Sequence, residues 1–223
     1  MFPRSAPRKA GASSCRAGEA YRFATDPLVS PVAALASEAN IYIKSGDDKM
    51  TKNDFRGALA DYNQALRLKP DLADPYVYSN RAVAKATTDD LEGSIVDSTK
   101  AIELSPGLAI AYENRGMTKQ VKCDSEGAIA DFAKELDLAV SKDDKDIAAT
   151  HLAVNYLNRG FSRANRRDFD RAIEDCNMAI QLRPDYAEAY YSRSSMEQAK
   201  GDIEGANADR AKALQLKPEL ARQ

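Results

Sequence analysis

The chain has 223 residues, with 32 Lys+Arg against 34 Asp+Glu and a formal net charge of −2, a balance that argues against a surface built for the nucleic-acid backbone. Hydrophobic residues make up 43% and charged residues 30%; that is enough for a core, yet no stretch approaches the roughly 18 apolar residues of a membrane-spanning helix. The cysteines Cys15, Cys123 and Cys176 form no CxxC pair and His151 is the only histidine, so a disulfide framework, a Cys/His zinc site and most nucleophile–histidine chemistry are disfavoured.

Residues 1–18 carry Arg4, Arg8, Lys9 and Arg16 and no acidic residue. They lack the apolar run of a secretory signal. Segment 1–36 is expected to be disordered, with an organellar transit peptide or a basic arm as alternatives, and 28–36 (LVSPVAALA) is a candidate extra turn of helix. The corresponding expectation for location is the cytoplasm, or an organelle if the head is a transit peptide.

From residue 37 the chain repeats itself. Five segments align without internal gaps at about 39–72, 75–108, 109–142, 153–186 and 187–220. Their tyrosines Tyr42, Tyr78, Tyr112, Tyr156 and Tyr190 are spaced 36, 34, 44 and 34 apart, a period of 34 with insertions at two junctions. Four residues after each tyrosine stands a small residue (Gly46, Ala82, Gly116, Gly160, Ser194), and sixteen after it another (Ala58, Ser94, Ala128, Ala172, Ala206). Apolar and small positions recur at three- and four-residue spacing, which predicts two helices per copy. Small residues on facing helices allow close approach. An aspartate between them (Asp54, Asp90, Asp124, Asp168, Asp202) is placed to cap the second helix, and a proline closes four copies (Pro70, Pro106, Pro184, Pro218).

The third copy departs from this pattern. Glu135 stands where the others have alanine, Val140 replaces the proline, and ten residues are inserted. These features predict a second helix running to about residue 141, a longer turn over 142–146 and an extension of the next helix over 146–152. At the end of the array, Asn207 and Arg210 replace the apolar pairs that earlier copies carry at the same positions, such as Ile129/Phe132 and Ile173/Cys176. A polar outer face is what the last unit of a stack needs.

The lines YENRG…GAIADFAKEL, YLNRGFSRANRRDFDRAIEDCNMAIQLRP and YYSRSSMEQAKGDIEGANADRAKALQLKP resemble the tetratricopeptide-repeat (TPR) family. The resemblance covers 39–220 and implies an all-α, right-handed superhelical solenoid of five tandem helix-turn-helix repeats. It also implies that the first helix of each pair lines an inner groove where protein or peptide ligands lie.

Helical phase relative to each tyrosine then nominates groove residues. One set is the asparagine row Asn80, Asn114 and Asn158, whose amides can donate and accept along an extended peptide backbone; the plain alternative is that they tie adjacent hairpins together. The other is an apolar strip of Tyr76, Val83, Ile110, Met117, Val154, Leu157, Phe161 and Tyr191, with core packing as its alternative. Arg81, Arg115, Arg159 and Arg193 stand 16 residues before Asp97, Asp131, Asp175 and Asp209. That fixed offset predicts bidentate bridges across each hairpin rather than an anion-binding row. The first copy has Ser45 in the arginine place, leaving Asp61 without its partner.

TPR domains that clamp the C-terminal carboxylate of chaperones need Lys, Asn and Lys where this chain has Ile43, Asp47 and Ile110, so that role is disfavoured. No Gly-rich phosphate loop occurs and the carboxylates sit at repeat-locked positions. No catalytic or metal site and no cofactor are therefore expected. The reading is a non-enzymatic scaffold that binds a peptide or partner helix in the groove. The alternatives are a self-associating homo-oligomeric module and a regulatory subunit of an enzyme complex.

Overall fold

The computed structural model describes residues 31–72 and 74–222. Within them the chain forms ten α-helices and no strand, in the order α1 (Pro31–Thr51), α2 (Phe55–Leu68), α3 (Pro75–Thr87), α4 (Leu91–Leu104), α5 (Ala109–Val121), α6 (Ser125–Leu138), α7 (Lys142–Asn165), α8 (Phe169–Leu182), α9 (Ala187–Lys200) and α10 (Ile203–Leu216), followed by a 3-10 turn at Pro218–Arg222. Consecutive helices pair into five hairpins, each stacked on the next. Helix α1 already begins at Pro31; the basic head at 1–18 lies outside the described residues.

Each hairpin turn is built the same way. The residue before the capping aspartate lies in the left-handed region: Asn53 (φ 60), Asp89 (φ 72), Cys123 (φ 60), Arg167 (φ 63) and Gly201 (φ 89). Four of these are not glycine and carry a cost of about 1–2 kcal/mol for that conformation. The turn then delivers the aspartate to its cap. Asp54, Asp90, Asp124 and Asp202 accept from the backbone N–H three residues on at 2.9–3.0 Å, and Asp168 does so at 3.4 Å. Each such cap contributes roughly 1 kcal/mol.

Helix contact inside the first three hairpins follows side-chain size. Phe132 is fully buried and its ring sits against Gly116, where an added Cβ would come within 2.9 Å. Tyr62 meets Gly46 the same way at 2.7 Å, and its hydroxyl donates to Asp47 at 2.7 Å. Where the second helix offers only buried Ser98, the first helix carries buried Ala82 instead. The larger ring thus faces the residue without a side chain.

The third junction differs from the sequence expectation. Helix α6 ends at Leu138, not near 141, and most of the insertion lengthens α7 at its start. The reason is a local cap. Ser141 accepts from the Asp144 N–H at 3.0 Å, and Asp143 and Asp144 in the first turn complement the positive end of the helix. The result is a 24-residue helix that reaches back over the third hairpin.

Candidate interaction groove

The first helices form one layer of the stack. Helix α1 touches α3, α3 touches α5, and α7 touches α9, whereas the second helices of neighbouring hairpins make no comparable contact. Neighbouring hairpins therefore approach one another more closely along the layer of first helices than along the layer of second helices. Contact of that extent is missing between α5 and α7, because α7 leans on α6 instead.

A charged lock positions each first helix. Arg81 donates to both oxygens of Asp97 at 2.7 and 2.6 Å, Arg115 to Asp131 at 3.0 and 2.7 Å, and Arg193 to Asp209 at 2.5 and 2.7 Å. Arg159 holds Asp175 at 2.7 Å. Each guanidinium also lies 5.3–5.7 Å from the centre of its hairpin's tyrosine ring (Tyr78, Tyr112, Tyr156, Tyr190). A remaining N–H reaches the second helix of the preceding hairpin, at Asn63, Thr99, Glu126 and Asn177 respectively. One arginine therefore ties three helices and is spent structurally. A second cation seven residues after the tyrosine joins the same carboxylate in three hairpins: Lys85, Lys119 and Arg163, at 2.9, 2.8 and 2.9 Å.

Asp61 is not left alone as the sequence suggests. Lys49, at that second-cation position, bridges it at 2.6 Å. The fifth hairpin inverts the arrangement by placing Glu197 there. Burial first, and then the Asp209 carboxylate, push the Glu197 carboxyl above its usual range, against the pull of Arg193.

The asparagine row divides. Asn80 donates to Asp47 at 3.1 Å and Asn114 to the buried Ser79 hydroxyl at 2.9 Å, each crossing to the preceding first helix. Both amides thus tie hairpins together. Asn158 is exposed. The apolar strip divides too. Leu157 is only 4% exposed and belongs to the core of the fourth hairpin, and Met117 packs against the third-hairpin core. Tyr191 is half-buried beneath the Arg210 guanidinium, 5.5 Å from its ring centre. Val83 and Val154 are half-buried. Tyr76 (60% exposed), Ile110 (37%) and Phe161 (46%) remain open, one on each of α3, α5 and α7.

Sequence reasoning passed over a cluster at the third junction. Glu135, 5% exposed, lies with both oxygens 3.2–3.3 Å from His151 Nδ1, and the Glu113 carboxylate faces the same point, with one donor atom of each within 4.8 Å of the others. The hydrogen bond to Glu135 raises the His151 imidazole above its ordinary value while burial opposes it; burial, followed by the Glu135 charge, raises the Glu113 carboxyl. The signals were present one by one: a glutamate at a small-residue position and a lone histidine in an insertion. What was missing was the lengthened α7 that joins them. Cys176 is buried, with its thiol pushed by burial up to about 12, and Cys123 is exposed in its turn.

No protein-family model matches the chain, and no curated protein sequence matches it either. Among solved structures, a crystal structure of MamA superposes with a TM-score of 0.61 at 24% identity, over 83% of this chain and 94% of that one. MamA from Desulfovibrio magneticus RS-1 (residues 41 to the end) gives 0.58 at 17% identity, over 83% and 98%. YrrB, described as a TPR protein with an unusual peptide-binding site, gives 0.59 at 18% identity, over 79% and 85%. The chain has the tetratricopeptide-repeat fold. As a TPR array it keeps the hairpin geometry while spending its arginines and two of its asparagines on stacking. Among the described residues of this TPR chain, no helix is long and apolar enough to cross a membrane.

Proposed function

We propose that the chain is a non-enzymatic protein-interaction scaffold whose inner face, formed by α1, α3, α5, α7 and α9, takes an extended peptide or a partner helix. The observation that carries this reading is the open apolar set Tyr76, Ile110 and Phe161, supplied one per helix by three successive first helices while their neighbours are committed to the core. Aromatic and aliphatic side chains left in water on a rigid surface are what an apolar anchor of a partner can cover. Exposed Asn158 beside them offers an amide to the partner's backbone. YrrB, of the same fold, is described as binding peptide, which is consistent with a protein ligand here.

The test uses the full chain to select peptides from a displayed random library, followed by titration with the Tyr76→Ala/Phe161→Ala double variant. Because both side chains are exposed, stability should stay within about 0.5 kcal/mol of the parent. Affinity for the selected peptides should fall at least roughly tenfold, about 1.4 kcal/mol. Peptides held equally well by the variant would remove the inner face from consideration. A change in sedimentation with the same variant would instead point to self-association.

A further inference from the structure

Three departures from the repeat pattern meet at one point. Glu135 occupies a position where the other four copies have alanine, His151 is the only histidine of the chain, and the insertion that carries it adds to the start of α7. Together with Glu113 on α5 they bring one imidazole and two carboxylates from three helices to within 4.8 Å.

We propose that Glu113, Glu135 and His151 bind one divalent transition-metal ion of the zinc class, which staples α5, α6 and α7 at the third junction. The spacing of the groups matches that of ligands around one ion. His151 Nδ1 stands 3.3 and 3.2 Å from the two Glu135 oxygens, a single ring nitrogen shared between them. Ligand atoms around a tetrahedral zinc, bound at about 2.0–2.1 Å, are separated by roughly 3.4 Å. Moving the Glu113 carboxylate closer by rotamer adjustment completes three ligands, and water takes the fourth position.

The charge balance agrees. Two carboxylates and a neutral imidazole carry −2, which a divalent ion cancels. Arg115 and Lys119, the repeat-locked cations of the third hairpin, are both held by Asp131, and no hydrogen bond or ion pair engages the Glu113 carboxylate among the described residues. Donor chemistry selects the ion. Calcium calls for six to eight oxygens and magnesium for an octahedral, largely hydrated shell, while an imidazole with carboxylates suits zinc or a neighbouring transition metal. The Phe132 ring, with its centre 5.2 Å from that of His151, closes one side and stiffens the imidazole.

The experiment titrates zinc chloride into the full, chelator-stripped chain by calorimetry and follows thermal unfolding with and without the metal. One ion should bind per chain and the melting temperature should rise with zinc concentration, because an ion that binds only the folded state stabilises it. Magnesium should do neither. Glu113→Gln and His151→Gln should each weaken zinc binding at least about tenfold, and Cys15→Ser/Cys123→Ser should leave it unchanged. Cobalt(II) in place of zinc should give visible absorption of a four- or five-coordinate ion without a thiolate charge-transfer band. The proposal is overturned by an absence of saturation up to roughly 100 µM zinc, by binding that survives both the glutamate and histidine variants, or by binding lost with the thiols. Glu113 is only half-buried, so its variant reads the site even if the histidine variant folds poorly.

Discussion

The second and third junctions of this stack do the same job with different chemistry. Between hairpins two and three, a fully buried Ala101 lets the helices close, Ser94 and Thr118 exchange a hydrogen bond at 3.0 Å, and Asn114 reaches across to Ser79. Between hairpins three and four, the alanine has become Glu135, the lengthened α7 brings His151 to meet it, and Asn155 donates to Gln120 at 3.2 Å. The arginine lock is kept at both, but its free arm goes to the neutral Thr99 at one and to the carboxylate of Glu126 at the other. A repeat can therefore accept a buried charge where an insertion supplies the partner; the same charge elsewhere has none.

The largest expected effect comes from moving the exception. Ala101→Glu puts a carboxylate into the regular junction with no imidazole opposite, and denaturant unfolding should show a loss of roughly 4 kcal/mol. Glu135→Ala, the reverse change, should cost far less, because it restores the ordinary residue. Equal costs for the two would mean that Glu135 and His151 are not a compensated pair.

The lock should respond alike at both junctions. Arg115→Ala and Arg159→Ala each remove the two-pronged partner of a carboxylate that is 3% or 1% exposed and leave it only the second cation, Lys119 or Arg163, and each should lose about 3 kcal/mol. If Arg159→Ala proves much milder, Arg163 alone suffices for Asp175 and the comparison must be redrawn.

At the last hairpin the repeat's own rule can be restored. Glu197→Lys returns the second cation to Asp209, with an expected gain of about 1 kcal/mol at neutral pH. The carboxyl of Glu197 titrates above its usual range in the folded chain, so its ionisation penalises folding. The penalty is absent below the usual carboxylate range, grows as pH rises toward the raised value, and is complete above it. The advantage of the lysine should accordingly shrink on acidification; a gain that grows toward low pH would reject this account.

The finest comparison concerns the two asparagines. Asn114→Ala removes the tie to Ser79 and should cost about 1 kcal/mol, while Asn158→Ala, at an exposed position, should stay within about 0.5 kcal/mol. Matching thermal shifts would show that the tie does not bear on stability.

Much of the frame was open to reading from residue order. Period, helix pairing and capping aspartates recur in all five copies and the Arg–Asp bridges in four, and all of them follow from local spacing. The end of α6 was misplaced by about three residues because its proline is absent and Ser141 supplies an unannounced cap for the next helix. Lys49 as the partner of Asp61 belongs to a second cation column, four residues beyond the arginine column, whose reach to the same carboxylate shows only in the folded hairpin.

Groove residues were harder. Tyr76 and Leu157 both sit on first helices and both looked suitable, yet one is 60% exposed and the other 4%. Phase along a helix states which way a side chain points; it does not state how closely the next hairpin stands in that direction. The sequence by itself determined the repeat, its turns and its charge ladder, since each depends on residues within one hairpin. Only the tertiary structure decided which apolar side chains stay open and that Glu113, Glu135 and His151 converge, because both depend on how separate hairpins stack.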